Sequence, residues 1–313
     1  MNAIMINKIL ITPRSVTSSG GHPSLEKLKK AGFEIVFSTA GKQPTEEELL
    51  NLLPVCSGYL AGVEPISAKI LESAKSLKVI SRNGVGMNNV DIEAAKRLNI
   101  KVCNTPGANA RGVAELTIAF VFELARRISY SDRQLKAGQW TRKSGMELKG
   151  KTLGLIGCGR IGKEVAILAL NIGMKVVAYD AYLSDFFTPS TDFRYVSLAE
   201  LAELADVISF HCSVSKDQKP MLDTLMIEKL KKGVLIINTA RGELIDEGAA
   251  LEGLMSEKIG GLALDVFTKE PPENMALLQH ENVVCTAHIG GFTYESIDNA
   301  MNAAVDNLLL NLQ

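Results

Sequence analysis

The stretch Thr152-Leu-Gly-Leu-Ile-Gly157-Cys158-Gly159-Arg160-Ile161-Gly162 reads as a buried strand that breaks into a glycine-rich turn and opens a helix. Each glycine has its own physical role. Gly157 permits the tight turn, Gly159 lets backbone approach a diphosphate, and Gly162 lets the helix pack closely on the strand, while the helix N-terminus offers unpaired amides and the positive end of its dipole. The spacing alone is a weak sign in a chain of 313 residues with 26 glycines. Its context strengthens it: a helix over 163–171 leads into a second apolar run, Met174-Lys-Val-Val-Ala-Tyr179, which ends in Asp180. An acid about 20 residues beyond the glycines is placed to accept hydrogen bonds from an adenosine ribose. Asp180 would also repel a 2′-phosphate, and Ala181, Tyr182 and Leu183 bring no cation beside it, so NAD is expected rather than NADP.

Outward from this turn, short apolar runs alternate with segments rich in Glu, Lys and Leu. Strand candidates at 8–12, 34–38, 58–61, 78–82 and 101–104 alternate with helix candidates at 23–31, 45–53, 67–74 and 89–98. A second series of strands follows at 152–156, 176–179, 207–211, 234–238, 261–265 and 283–286. Such alternation predicts an α/β chain with two doubly wound parallel sheets. Between the series, 113–126 is a helix apolar on most faces, for which a domain or subunit interface is the expected cover, and a polar extension follows at 129–147. The last helix, 294–312, follows the final strand and is expected to cross back to the first domain.

Composition excludes several classes. With 34 Lys and Arg against 35 Asp and Glu, a formal net charge of -1 offers no basic footprint for nucleic acid or an anionic membrane. The five cysteines (Cys56, Cys103, Cys158, Cys212 and Cys285) show no CxxC or His/Cys ligand spacing, which argues against a disulfide framework and a zinc site and fits a reducing cytoplasm. The N-terminus reads as a first strand rather than a signal peptide, and no apolar run reaches the roughly 20 residues a membrane span needs.

In open parallel sheets ligands bind beyond the carboxyl ends of the strands, so the second-series strand ends are the first candidates for chemistry. They carry His211, Asn238-Thr239-Ala240-Arg241-Gly242, Asp265 with Glu270 beyond it, and Thr286-Ala287-His288-Ile289-Gly290-Gly291. Reducing a 2-keto acid requires a cation for the substrate carboxylate, an acid to protonate the nascent alkoxide, and a group that keeps that acid protonated. Arg241, His288 and Glu270 supply these. The planar fork of Arg241 matches a carboxylate, and an imidazole passes protons both ways near neutral pH, with a neighbouring carboxylate favouring its charged form and fixing its orientation. His22, His211 and His280 are read as structural, and Cys158 and Cys212 as small turn residues rather than redox sensors. In the first series, Arg82-Asn-Gly84-Val85-Gly86 ends a strand in a loop whose amides suit a carboxylate, with a plain strand-helix turn as the alternative.

Taken together, the Gly84 to Asp91 loop, Asn104-Thr-Pro-Gly with Val113-Ala-Glu115, Gly150-Lys-Thr-Leu-Gly, Asn238-Thr-Ala-Arg241-Gly242, Leu264-Asp265-Val-Phe with Glu270-Pro271, and His288-Ile-Gly-Gly291 resemble the D-isomer-specific 2-hydroxyacid dehydrogenase family, in its phosphoglycerate dehydrogenase-like branch. The resemblance covers essentially the whole chain. It implies that Arg241 binds substrate, Glu270 tunes the acid and His288 donates the proton, with Arg82, Gly84, Val85 and Gly86 toward the substrate. It further implies NAD contacts from Val85, Gly157, Gly159, Arg160, Ile161, Gly162, Asp180, Cys212, Thr239, Ala240, Asp265, Gly290 and Gly291. A flavodoxin-like substrate domain (1–104 with 292–313), a Rossmann NAD domain (105–291), an active site in the cleft between them that closes on binding, and a cytoplasmic homodimer complete the expectation. Ala61 stands where phosphoglycerate enzymes usually carry Arg, His211-Cys212-Ser213 replaces His-x-Pro, Asn88 a common Asp and Ala287 a common Pro. Losing the Arg opens the substrate to hydroxypyruvate, glyoxylate or another anionic acid, with Arg82 the residue that would matter for a second anionic group. No regulatory domain, and so no serine feedback, is expected after Gln313. A non-catalytic NAD-sensing protein is the competing class.

Overall fold

The two strand-helix series form two units, one of Met1–Asn109 with Tyr294–Gln313 and the other of Ala110–Thr293. The computed structural model describes residues 7–182, 187–214 and 219–312, so the readings at residues 1–6, Leu183 and Gln313 fall outside the described residues.

In unit 1 five parallel strands, β1 (Lys8–Ile11), β2 (Glu34–Phe37), β3 (Gly58–Ala61), β4 (Val79–Arg82) and β5 (Lys101–Cys103), lie in the order β2-β1-β3-β4-β5. Successive side chains of a strand face opposite sides, so each face gathers its own core. Leu10, Tyr59 and Ile80 pack with Leu49, Ile70 and Leu71 on one face. Ile9, Ile11, Leu60 and Val79 pack on the other with Met301, Ala304, Val305 and Leu308 of the helix Tyr294–Leu312. That helix therefore does return to the first unit. The helix expected from residue 89 begins at Ile92, because Val90 bridges Ile66 as a strand residue and the Asp91 side chain caps the helix by accepting from the Ala94 N–H at 2.9 Å.

Unit 2 holds seven parallel strands: β6 (Thr152–Ile156), β7 (Lys175–Tyr179), β8 (Phe193–Tyr195), β9 (Val207–Phe210), β10 (Val234–Asn238), β11 (Ile259–Leu264) and β12 (Val283–Cys285). Their order, β12-β11-β10-β9-β6-β7-β8, puts the topological switch point between β6 and β9, beside the glycine turn. The apolar helix runs from Ala110 to Arg126, three residues longer at its start than its sequence pattern, and its cover lies within unit 2. It packs on the helix Arg160–Asn171 and on β10 and β11, burying Val113, Thr117, Phe120, Val121 and Leu124. Arg127, at φ 54°, turns the chain into the helix Ile128–Lys136, which buries no residue. No helix among the described residues is long and apolar enough to cross a membrane, and among them no group of three or more His, Cys, Asp or Glu is placed to hold a metal ion.

Candidate active site

The glycine turn is built for close approach. Gly157 sits at φ 97°, and a Cβ there would lie 2.6 Å from the Cys212 nitrogen; a Cβ on Gly162 would lie 2.3 Å from the Gly157 carbonyl oxygen. Neither position accepts a side chain, whereas a Cβ on Gly159 would meet nothing within 4 Å, leaving open space at the first turn of the helix Arg160–Asn171. Asp180, at the end of β7, accepts the Cys158 N–H at 2.7 Å and the Tyr182 N–H at 2.8 Å. Its carboxylate thus shapes the turn and retains lone pairs on both oxygens for further donors. Arg160 is exposed, and Ile161 and Cys212 are half-buried. Burial raises the thiols of Cys158 and Cys212, the latter to about 11, so both stay protonated at neutral pH and do not behave as reactive thiolates.

His211, one residue past β9, adds a less expected feature. Its Nε2 meets the Ser209 hydroxyl at 2.9 Å, while Nδ1 is buried with no partner. Burial holds its pKa down at about 3, so the ring is neutral. The glycine surfaces, the open space before Gly159 and an orphan buried nitrogen next to the turn all suit a bound dinucleotide. The buried ring also sets an acid limit. A base whose folded pKa lies below its unfolded value of about 6.5 contributes stability that is complete above pH 6.5 and is lost as pH falls toward 3. Between pH 6.5 and 5 the apoprotein is expected to lose roughly 2 kcal/mol through this group. Urea unfolding at a series of pH values checks it, and His211→Asn should flatten the slope over that window; an unchanged slope would contradict the assignment.

The strand ends of β10, β11 and β12 carry the residues that the sequence offers for acid-base chemistry. Asn238 is fully buried and clamps the turn after β10: its Nδ2 donates to the Arg241 carbonyl at 2.7 Å and its Oδ1 accepts the Ala240 N–H at 3.0 Å. Thr239 turns inward, with its hydroxyl 3.0 Å from that of Thr117. Gly242, which follows Arg241, lies so close to the neighbouring loop that a Cβ would stand 2.0 Å from the Phe267 carbonyl carbon. Phe267 in turn donates its N–H to Glu270 Oε1 at 3.2 Å. The Arg241 turn and the Glu270 loop are therefore packed backbone to backbone.

Glu270 faces His288. Nδ1 of His288 lies 2.9 Å from Glu270 Oε2 and 3.1 Å from Oε1, and the imidazole is half exposed. An Nδ1–H donated to a carboxylate leaves Nε2 as the nitrogen available to a reacting group. His288 adopts φ 53°, a left-handed conformation uncommon for a residue with a side chain. Asp265 explains how it is held. Its carboxylate, 1% exposed, accepts from the Thr286 hydroxyl at 2.5 Å, the Ile289 N–H at 2.7 Å and the Gly290 N–H at 2.8 Å. The sequence offers Asp265 as a cofactor contact; the fold adds a second part for its carboxylate, a clamp on the His288 loop. That role follows from the pairing of β11 with β12, which sets Leu264 opposite Cys285. Gly291 follows the clamped loop and is half-buried.

In unit 1 Arg82 ends β4. Its Nη1 donates to the Asn83 carbonyl and its Nε to Asn89 Oδ1 at 3.4 Å. Gly84, at φ 145°, leaves room for this guanidinium, since a Cβ would stand 2.5 Å from Nη1. Thr105 Oγ1 accepts the Gly84 N–H at 3.1 Å and Asn104 donates to the exposed Val85's carbonyl at 2.7 Å, which pins the loop leading to Gly86. His22 is tied to Ser24 at 2.7 Å and Asp298 at 2.9 Å, and His280 accepts the Asn282 N–H at 3.2 Å, so both serve local structure.

Residues 118–290 match the family model for the D-isomer specific 2-hydroxyacid dehydrogenase, NAD binding domain. The hydroxypyruvate reductase of Thermotoga maritima is 42% identical over 259 residues, covering 80% of this chain and 83% of that protein. The human D-3-phosphoglycerate dehydrogenase is 41% identical over 272 residues, which is 86% of this chain, and the chain spans half the length of that relative. The solved structure of the TT0316 protein from Thermus thermophilus aligns with a TM-score of 0.87 at 33% identity, covering 97% of this chain and 96% of that one. Matched through the segment that holds its glycine turn and over most of its length, the chain belongs to the D-isomer-specific 2-hydroxyacid dehydrogenase family and carries that family's NAD-binding domain.

Proposed function

We propose that this protein is an NAD-dependent oxidoreductase interconverting a D-2-hydroxy acid and its 2-keto acid, with His288, Glu270 and Arg241 as its catalytic residues. The observation that carries the reading is the 2.9 Å pairing of His288 Nδ1 with Glu270, on a loop packed against the Arg241 turn. NAD, when bound, supplies or accepts the hydride. In the reducing direction the Arg241 fork holds the substrate carboxylate and polarises the adjoining carbonyl. His288 gives its Nε2 proton to the oxygen as negative charge develops there, and Glu270 orients the ring through Nδ1–H. In the oxidising direction the neutral imidazole takes the hydroxyl proton back at the same nitrogen.

Cofactor contacts are assigned to the turn Gly157, Gly159, Arg160, Ile161 and Gly162, to Asp180 and Cys212, and to Val85, Thr239, Ala240, Asp265, Gly290 and Gly291. Arg82, Gly84, Val85 and Gly86 are assigned to the anionic groups of the substrate. The relatives' names point to 3-phosphoglycerate or hydroxypyruvate as substrate, and glyoxylate belongs to the same class. A cytoplasmic homodimer fits the composition and the family.

The test is oxidation of NADH and NADPH with a panel of 2-keto acids. At least one acid should be reduced, with NADH used at least about tenfold more efficiently because Asp180 would face a 2′-phosphate. Equal efficiency with both cofactors would remove Asp180 as the discriminator. Tight NADH binding without turnover of any acid would favour an NAD-sensing role over the dehydrogenase.

A further inference from the structure

A buried acid at the carboxyl end of the unit 1 sheet is left without a role by the chemistry above. The order β2-β1-β3-β4-β5 puts the switch point of this sheet between β1 and β3, where open parallel sheets take their ligands. Thr12 follows β1, and Gly62 and Glu64 follow β3, so all three stand at that point.

Glu64 is 1% exposed. Its Oε1 accepts from the Tyr59 hydroxyl at 2.6 Å, the Gly62 N–H at 2.9 Å and the Thr12 hydroxyl. Burial, with the Glu64 charge beside it, pushes the Tyr59 phenol well above its ordinary range and keeps it a donor. A buried carboxylate is costly and persists where aimed donors compensate it, as three do here. The Glu64 carbonyl accepts from Asn89 Nδ2 at 2.8 Å, and Asn89 Oδ1 accepts from Arg82 Nε at 3.4 Å. A single asparagine thus joins the backbone at Glu64 to the arginine that ends β4. Both charges act on the buried Tyr59 phenol, Glu64 raising its pKa and Arg82 lowering it, so the attraction Arg82 exerts on an incoming anion is offset by the repulsion of Glu64. A glutamine would supply the same acceptor oxygen, so what a glutamate adds is the charge.

We propose that Glu64 acts as a charge filter at this switch point, so that the protein selects 2-keto acids with an uncharged tail over those bearing a second anion such as a phosphate. The proposal rests on the dehydrogenase reading. Its probes are hydroxypyruvate and phosphohydroxypyruvate, which differ only in that group. The wild-type protein should favour hydroxypyruvate in kcat/KM by about tenfold or more, and Glu64→Gln should shift the ratio by about tenfold toward the phosphorylated acid, mainly through its KM. A brace without electrostatic effect would change both substrates alike, and an unchanged ratio would overturn the proposal. A wild-type preference for the phosphorylated acid, which needs no variant to measure, would overturn it as well. If NADH reduces neither acid nor any other in the panel, the dehydrogenase reading itself falls and takes the filter with it, an outcome distinct from turnover with an unmoved ratio.

Discussion

His288→Ala is expected to lower kcat by roughly 100- to 10,000-fold, the contribution of a positioned general acid, while NADH affinity stays close to wild type. The imidazole is half exposed and, among the described residues, its bonded side-chain partner is the half-exposed Glu270, so the fold should be little affected by its removal. A structural histidine on an exposed loop would give the opposite pattern, with turnover retained. Steady-state NADH oxidation, with a fluorescence titration of NADH binding on the same preparations, separates the two. Glu270→Gln should fall between wild type and His288→Ala, because the amide oxygen still bonds Nδ1 and orients the ring but brings no negative charge to it. Turnover of His288→Ala near the wild-type rate would remove His288 from the mechanism.

The second large effect is expected at Asp265, away from the reacting atoms. Asp265→Ala leaves the Thr286 hydroxyl and the N–H groups of Ile289 and Gly290 without their shared acceptor, the first two bonds being half-buried and the last buried. Each unsatisfied buried donor costs about 1–3 kcal/mol, so a net destabilisation of roughly 3 kcal/mol is expected after local relaxation. Activity should fall with it, because nothing else described holds His288 at φ 53° against its preference for a right-handed or extended backbone. Asp265→Asn should rescue neither property fully, since its amide nitrogen would meet an N–H donor. Thermal unfolding and kcat are the measurements, and a variant with wild-type stability and turnover would show that the loop holds its shape unaided.

Much of this was readable in advance, and the parts that were not share a cause. Gly157, Gly162 and the apolar runs of β6 and β10 announce themselves because a tight turn and a doubly covered strand restrict residue type locally. Arg241, Glu270 and His288 were legible as strand-end residues of the types the chemistry requires. The clamp by Asp265 was not, because it depends on β11 lying beside β12, a pairing that no local pattern encodes. Gly242 reads as part of a turn, and only the fold shows Phe267 against its Cα. Three-residue β8 is too short for periodicity to register, though Phe193 is buried. The start of the helix at Ile92 was blurred because Val90 pairs with Ile66, a contact set by tertiary structure. Glu64 was the least visible of all: an acid after a strand is ordinary, and only its neighbours Thr12 and Tyr59 reveal that it is buried.

The return of the helix Tyr294–Leu312 to unit 1 has a consequence for biosynthesis. Ile9, Leu60 and Val79 emerge from the ribosome early, but Met301, Ala304, Val305 and Leu308, which cover them, are made only after all of unit 2. Val16, Leu25 and Leu28 cover part of that face early, but at the usual pace of synthesis, about 5–20 residues per second, the part under the last helix stays bare for roughly 10–40 s. Unit 2, continuous in sequence, can complete its core during that interval. The nascent chain rather than the finished protein is then the state most exposed to aggregation, and it is there that a chaperone holding the first hundred residues would have its largest effect on yield.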